Sequence, residues 1–230
     1  PVLISARSLN NGLVLWQQLL RPAGTNKVPH GGYISGRACA IAADDTLLLI
    51  DRDGVATLDA ETGQARGRVA GPKPDGQIKW MGLQSNVLVV LAGEADVVQT
   101  ITYQTVAANP NGRELAAYEW PGGKELWKTS LPGDVDERLI AVKDDQIYAL
   151  AKGAGMLGME LRTGKCLWTN SSEELQADFT VPPSKQLGDF LFSQPGMMAV
   201  DDTLVLRARW AKSTTVLSRA DGKRLWRKAY

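Results

Sequence analysis

Short apolar runs broken by polar turns divide this chain from end to end. "ACAIA", "TLLLID", "VATLDA" and "QARGRVA" follow one another with "ADD", "RDG" and "ETG" between them. The same rhythm returns as "IKWMGLQ", "VLVVLAG", "RELAAYEW" and "KELWKTS", then as "LIAVKD", "QIYALAKG", "MLGMELR" and "KCLWTN", then as "GMMAVDD", "TLVLRARW", "TTVLSRA" and "KRLWRKAY". The chain opens with only the last two members of such a set, "VLISARS" and "LVLWQQLL". Short runs of even spacing with hairpin signals predict strands rather than helices. A repeated set of four predicts an all-β fold, a β-propeller of four-stranded antiparallel blades. About four and a half blades are present, spanning approximately 1–21, 38–71, 78–131, 138–170 and 196–230.

The unit boundary is a recurring phrase: "SLNNGLVLW", "LDAETGQARG", "YEWPGGKELW", "MELRTGKCLW" and "SRADGKRLW". Its turn glycines are Gly12, Gly63, Gly123, Gly164 and Gly222, separated by 51, 60, 41 and 58 residues. The shortest separation is close to the ~40–50 residues of one blade, and the longer ones are a blade plus an insertion. Asp, Asn and Ser side chains fold back on their own backbone, and glycine accepts a left-handed conformation. The phrase therefore predicts a tight hairpin. Beyond it the offset from Gly123 to Trp127 is even, so both lie on one face of a strand. Trp16, Trp127, Trp168 and Trp226 each stand four residues after their glycine, and Gly67 holds that position in the second unit. A flat, bulky side chain recurring once per unit suits the seam between neighbouring sheets.

The form Ala-x-Asp-x-x-Thr-Gly-Lys-x-x-Trp resembles the tryptophan-docking repeat of pyrroloquinoline-quinone-type (PQQ-like) β-propellers. "LDAETGQ", "LRTGKCLW" and "SRADGKRLW" match it closely, "EWPGGKELW" and "SLNNGLVLW" more loosely. The resemblance touches all five units. It implies that Trp16, Trp127, Trp168 and Trp226 dock between adjacent blades against the turn glycines, with the second seam left open by Gly67. Propellers of this kind close with seven or eight blades. The expectation is therefore an incomplete ring, part of a longer polypeptide or completed by another copy, with a smaller closed ring as the alternative.

The family has two branches. In the quinoprotein dehydrogenases, PQQ and calcium are held by a Glu, an Asn and a catalytic Asp, often against a disulfide of neighbouring cysteines. None of those motifs is matched here: Cys39 and Cys166 are far apart. The non-catalytic branch includes the outer-membrane assembly lipoprotein of Gram-negative bacteria. The repeat without the site points there, to a binding or assembly scaffold with protein partners, no cofactor, and a periplasmic or extracytoplasmic location. Part of a PQQ-dependent dehydrogenase oxidising alcohols or sugars is the alternative. A ligand-binding ectodomain is a third reading.

Charge and candidate chemistry change this picture little. The net charge is +1, which marks neither a nucleic-acid binder nor a membrane-surface binder. Residues 207–230 hold eight Lys or Arg against one Asp, a balance of +7, so the remainder carries −6. This tail reads as solvent-facing strand positions, with an acidic partner as the other reading. No stretch approaches the ~20 apolar residues of a membrane-spanning helix. Cys39 and Cys166 lie in apolar runs and read as buried free thiols. "GAGMLG" at 153–158 satisfies G-x-G-x-x-G but joins two strands, so it reads as a hairpin. His30 is the sole histidine, and zinc ligand spacing is missing. The pairs Asp44-Asp45, Asp144-Asp145 and Asp201-Asp202 hold equivalent places in their units, which makes them turn residues before calcium ligands. "NSS" at Asn170 matches a glycosylation acceptor. The loops 22–37, 93–114 and 170–196 interrupt the rhythm and are the first places to look for binding.

Overall fold

The computed structural model describes residues 2–20, 40–51, 53–95, 98–101, 104–107, 111–180, 195–208 and 212–230. The first unit is a hairpin of β1 (Val2–Arg7) and β2 (Val14–Leu20). The second is a four-stranded meander of β3 (Ala40–Ala43), β4 (Thr46–Asp51), β5 (Gly54–Asp59) and β6 (Ala65–Ala70). The third begins with β7 (Gln77–Gln84) and β8 (Val87–Gly93). A separate ribbon of β9 (Val98–Ile101) and β10 (Gln104–Ala107) follows, and the unit resumes with β11 (Asn111–Glu119) and β12 (Glu125–Lys143). The fourth unit adds β13 (Gln146–Ala151), β14 (Gly155–Glu160) and β15 (Cys166–Asn170). A helix, α1 (Glu173–Phe179), precedes the last unit of β16 (Gly196–Val200), β17 (Thr203–Ala208), β18 (Ser213–Ser218) and β19 (Arg224–Ala229). Every described pairing is antiparallel between strands adjacent in each unit, as in propeller blades.

Two departures from the sequence reading have physical causes. The runs "KELWKTS" and "LIAVKD" are one strand, β12, which serves the third unit through Ser130 and the fourth from Ile140. Between them Val135 pairs with both Gly112 and Ala151, so the chain stays extended and a seven-stranded sheet results. Pro132 suits this passage: its fixed φ is compatible with extended backbone, and its missing donor falls where the register against β11 shifts. The other departure lies in the inserts. Residues 93–114 hold the β9–β10 ribbon rather than open loop, and the start of 170–196 forms α1. Leu175 is buried on that helix, so its folding is driven by packing.

The apolar runs are explained by burial on both faces. Along β8, Val87, Val89 and Leu91 enter one cluster with Leu115, Ile140, Ile147 and Leu157. The alternate residues Leu88, Val90 and Ala92 enter another with Leu48, Ile50, Ile78 and Tyr118. A third cluster joins Tyr148, Leu150 and Met156 to Leu204, Leu206 and Leu217. Each cluster thus lies between two successive units, the period-2 alternation sending neighbours to opposite seams. The first hairpin differs: Leu3, Leu13, Leu15 and Leu19 are all exposed.

Leu91 is fully buried and Leu13 is exposed. Leu91→Ala is expected to lower stability by about 2–5 kcal/mol. Leu13→Ala should change it by no more than about 0.5 kcal/mol. Urea unfolding followed by circular dichroism checks both.

Candidate functional site

Each unit ends in the same turn. The N–H of Gly12, Gly63, Gly123, Gly164 and Gly222 donates to the carbonyl four residues earlier, at 2.7–2.9 Å. That earlier residue in turn donates to the carbonyl just after the glycine, as from Asp59 to Gln64 at 2.8 Å. All five glycines have φ between +69° and +72°, the left-handed region closed to most side chains. In the second unit Asp59 holds the turn from within: its Oδ1 accepts from the Thr62 N–H at 2.7 Å and the Thr62 hydroxyl at 2.8 Å. Those bonds, with Arg66 at 2.6 Å from the other oxygen, pull the carboxyl down to about 2.

Three tryptophans lie on the turns of the units that follow them. Trp16 Nε1 donates to the Ala60 carbonyl at 3.0 Å, Trp127 to Leu161 at 2.9 Å, and Trp168 to Arg219 at 3.0 Å. Each acceptor stands three residues before a turn glycine. A Cβ built on Gly63 would come within 2.6 Å of the Trp16 ring, on Gly164 within 2.6 Å of Trp127, and on Gly222 within 2.4 Å of Trp168. The indole therefore rests on a bare Cα. Two residues after the tryptophan, Gln18 donates to the Gly63 carbonyl at 2.7 Å and Asn170 to the Gly222 carbonyl at 2.8 Å. At the second seam, where Gly67 replaces tryptophan, the Val69 methyl sits 3.4 Å from the Cβ position of Gly123.

The peptide that receives the indole is held from behind. Ala60, Leu161 and Arg219 donate their N–H groups to the carbonyls of Asp45, Asp145 and Asp202 at 2.8–2.9 Å, and Trp120 does the same to Asn86 at 2.9 Å. The paired aspartates are thus inner hairpin turns. Asp44, Asp144, Asp145 and Asp201 have φ of 45–58°. Among the described residues no three His, Cys, Asp or Glu side chains converge on one point. His30 and Cys39 lie outside the described residues, as does the whole of the loop 22–37.

The basic tail faces solvent along β19, every residue of which is exposed, and departs from the sequence reading at Arg219. Arg219 is buried: its Nε donates to the Tyr148 hydroxyl at 2.9 Å and Nη1 to Asp144 at 2.9 Å, with a further short bond to the Asp201 carbonyl. Its guanidinium lies 5.4 Å from the Tyr148 ring centroid, a cation–π distance. Burial pushes the Tyr148 hydroxyl up, and Arg219 opposes the shift. Arg227 forks onto Asp178 of α1 at 2.7 and 2.8 Å, and Arg224 pairs with Glu174. With Lys223 on Asp221 at 3.0 Å, four tail cations are paired within the chain. The spacing that places Arg219 where Ala60 and Leu161 stand is visible in the phrase alignment, but its burial is not. Cys166 also departs: it is a free thiol exposed on β15, because this outer strand turns that face to solvent. "GAGMLG" runs through the β13–β14 turn, with Gly158 beneath the Trp168 ring.

Trp226 and Gly12 stand apart. Trp226 is 49% exposed, and among the described residues its Nε1 has no partner. No atom comes within 4 Å of a Cβ position on Gly12.

A sequence-family profile described as Outer membrane protein assembly factor BamB matches residues 74–230. No curated protein matches the chain at a significant level. Among solved structures, BamB from Moraxella catarrhalis superposes with a TM-score of 0.63 at 14% identity, over 99% of this chain and 58% of that one. A europium-containing methanol dehydrogenase superposes with a TM-score of 0.57 at 14% identity, over 99% of this chain and 47% of that one. Apo AztD from Citrobacter koseri gives 0.54 at 12%, over 99% and 56%. The chain thus spans about half the length of the structures it matches, and the likeness is one of fold.

Removing a seated indole by Trp127→Ala or Trp168→Ala is expected to cost roughly 3–5 kcal/mol, as for a buried aromatic. Trp226→Ala should stay within about 0.5 kcal/mol at low protein concentration. Denaturant titration of the three variants tests the assignment, which fails if all three match the parent. The Asp59 turn carries its own pH signature. Its folded pKa is depressed, so its contribution is present above the unfolded value near 4 and is lost as pH falls toward 2. An NMR titration of the Asp59 side-chain carboxyl should give a midpoint near 2.

Proposed function

The chain belongs to the PQQ-like repeat β-propeller family, and on that premise we propose that it is a non-catalytic binding or assembly scaffold of the bacterial cell envelope. The observation that carries this reading is where the recurring residues are spent. The turn glycines, the inner aspartates and three of the four phrase tryptophans are engaged with one another across turns and seams. No three His, Cys, Asp or Glu side chains gather at one point among the described residues. A chain built this way displays surface rather than a reaction centre. Exposed leucines supply apolar contact area on that surface. Leu15, Leu126, Leu167 and Leu225, each next to a phrase tryptophan, are 37–60% exposed.

The family description, an outer membrane protein assembly factor, supports a periplasmic or extracytoplasmic setting and a protein partner. No helix among the described residues is long and apolar enough to cross a membrane. The alternative, part of a quinoprotein dehydrogenase, draws on the superposition with methanol dehydrogenase.

Two experiments separate these readings. Titration of the chain with PQQ and calcium, followed by tryptophan fluorescence, should give no saturable change; tight binding at one site per chain would move the assignment to the oxidoreductase branch. Immobilised chain exposed to a Gram-negative envelope extract should retain subunits of the outer-membrane protein assembly machinery. Retention of none of them would sink the scaffold reading in its assembly form.

A further inference from the structure

We propose that the groove beneath α1, at the seam between the fourth and fifth units, is a docking site for an acidic amphipathic helix of a partner protein, and that α1 is its resident, replaceable occupant. This deepens the scaffold reading by naming one binding surface, and it rests on that reading. The groove floor is apolar. Tyr148, Leu150 and Met156 of the fourth unit meet Leu204, Leu206 and Leu217 of the fifth; Leu175 of α1 completes the cluster, with Phe179 packed against it. The clusters at the two preceding seams are built from strands and their turns, with no helix among the described residues. Here a helix supplies what strands supply elsewhere.

The rim of the groove is basic. Arg227 forks onto Asp178 at 2.7 and 2.8 Å, and Arg224 pairs with Glu174. Leu175, Asp178 and Phe179 stand at i, i+3 and i+4, one face of a helix. The groove thus holds a pattern: two carboxylates one turn apart, each followed by an apolar side chain. That is a helix-in-groove mode of recognition with charge at the rim.

The hold on α1 is slight, and its fit is incomplete. It has seven residues, below the ~12–15 at which an isolated helix is marginal in water, so it is helical because it is seated. Its N-cap Ser172 makes no side-chain capping bond, and its last turn holds no basic residue. Thr215 is 2% exposed, and among the described residues its hydroxyl has no partner. It stands two residues from Ser213, whose hydroxyl donates to Asp178 at 3.2 Å, and directly opposite Arg227. All three therefore lie on the sheet face that α1 covers. A buried hydroxyl left unpaired is unfavourable. An incoming helix that keeps the pattern and brings a polar side chain to Thr215 satisfies what α1 leaves unmet. Departure of α1 does not require the blade to open, because Asn170 at the end of β15 stays anchored on the Gly222 carbonyl at 2.8 Å.

The test uses a fluorescein-labelled peptide of residues 171–180, SSEELQADFT, followed by fluorescence anisotropy. In one variant of the chain, Leu175→Ala with Asp178→Asn weakens the resident helix. This variant should bind the peptide saturably, and the parent at least about tenfold more weakly, because its groove is mostly filled. Adding Arg227→Ala to the variant should weaken binding by a further factor of about ten. Circular dichroism checks that each variant keeps its strands. Hydrogen exchange of the parent needs no loosened helix: the α1 amides should exchange well before those of β13 and β17, and more slowly in Thr215→Val, where no hydroxyl is left unmet. A loosened variant that binds no peptide, binds no better than the parent or is indifferent to Arg227 overturns the proposal. So does α1 exchange as slow as that of β17, or unchanged by Thr215→Val. None of these readouts involves an envelope extract, so this inference and the scaffold reading fail separately.

Discussion

Everything in this structure turns on an indole resting on a glycine that has no side chain. The glycine does two things at once. Its φ near +70° lets the outer hairpin close, and its bare Cα lets the ring of the preceding unit lie flat on the turn. A methyl there would strain the turn and strike the ring at 2.4–2.6 Å. Local turn chemistry and non-local packing are therefore satisfied by one residue, which is the agreement between levels that lets a sequence specify a fold. The hydrogen bonding follows the same logic. The peptide that accepts the indole N–H is itself tied by its own N–H to an inner aspartate carbonyl. A tryptophan in one unit thus reads the position of both an outer and an inner turn in the next.

The seams share this plan and differ in what else holds them. Between the second and third units no phrase tryptophan is seated, and the apolar cluster from Leu48 to Tyr118, with Trp120 packed against it, carries the contact with Val69 against Gly123. Between the third and fourth, β12 runs unbroken from one unit into the other, so covalent and ladder continuity add to Trp127. Between the fourth and fifth the contact is partly ionic: the Arg219 guanidinium bridges Tyr148 and Asp144 while its own carbonyl seats Trp168. A buried arginine is costly to desolvate and is tolerated because its donors find partners and its plane lies against an aromatic ring. In a repeat architecture stability is close to a sum of unit and interface contributions, so such different seams give the chain weak and strong joints.

The architecture was legible because the repeat phrase states the turn, the strand after it and the residue that packs sideways. Gly12, Gly63, Gly123, Gly164 and Gly222 occupy five equivalent turns, and the apolar runs became strands paired in order. What stayed illegible depended on three-dimensional neighbours. Nothing in "RADGKRLW" separates Arg219, buried against Tyr148, from Arg224, which reaches Glu174 at the surface. Cys166 sits in an apolar run on an outer strand, where alternation alone does not say which face meets a neighbour. The helix α1 has too few residues for a clear 3.6 period and is fixed by Leu175 and by the Asp178–Arg227 fork. The β9–β10 ribbon lacks a buried-strand pattern in the sequence because a two-stranded extension does not require one.

A repeat fold of this kind divides its sequence between two tasks that do not compete. One face of each outer strand is committed to the seam, since alternation sends Trp16, Trp127 and Trp168 toward the next turn. The adjacent positions, Leu15, Leu126 and Leu167, face away and can vary without touching the fold. On the proposed reading a partner would be selected by residues whose substitution costs little stability, while the glycines and indoles are constrained by backbone geometry that no other residue types reproduce. That separation is why the fold speaks so clearly through its repeats and a binding preference does not. The repeated positions are the ones packing demands, and the positions that choose a partner are, by the same geometry, the ones free of any repeat.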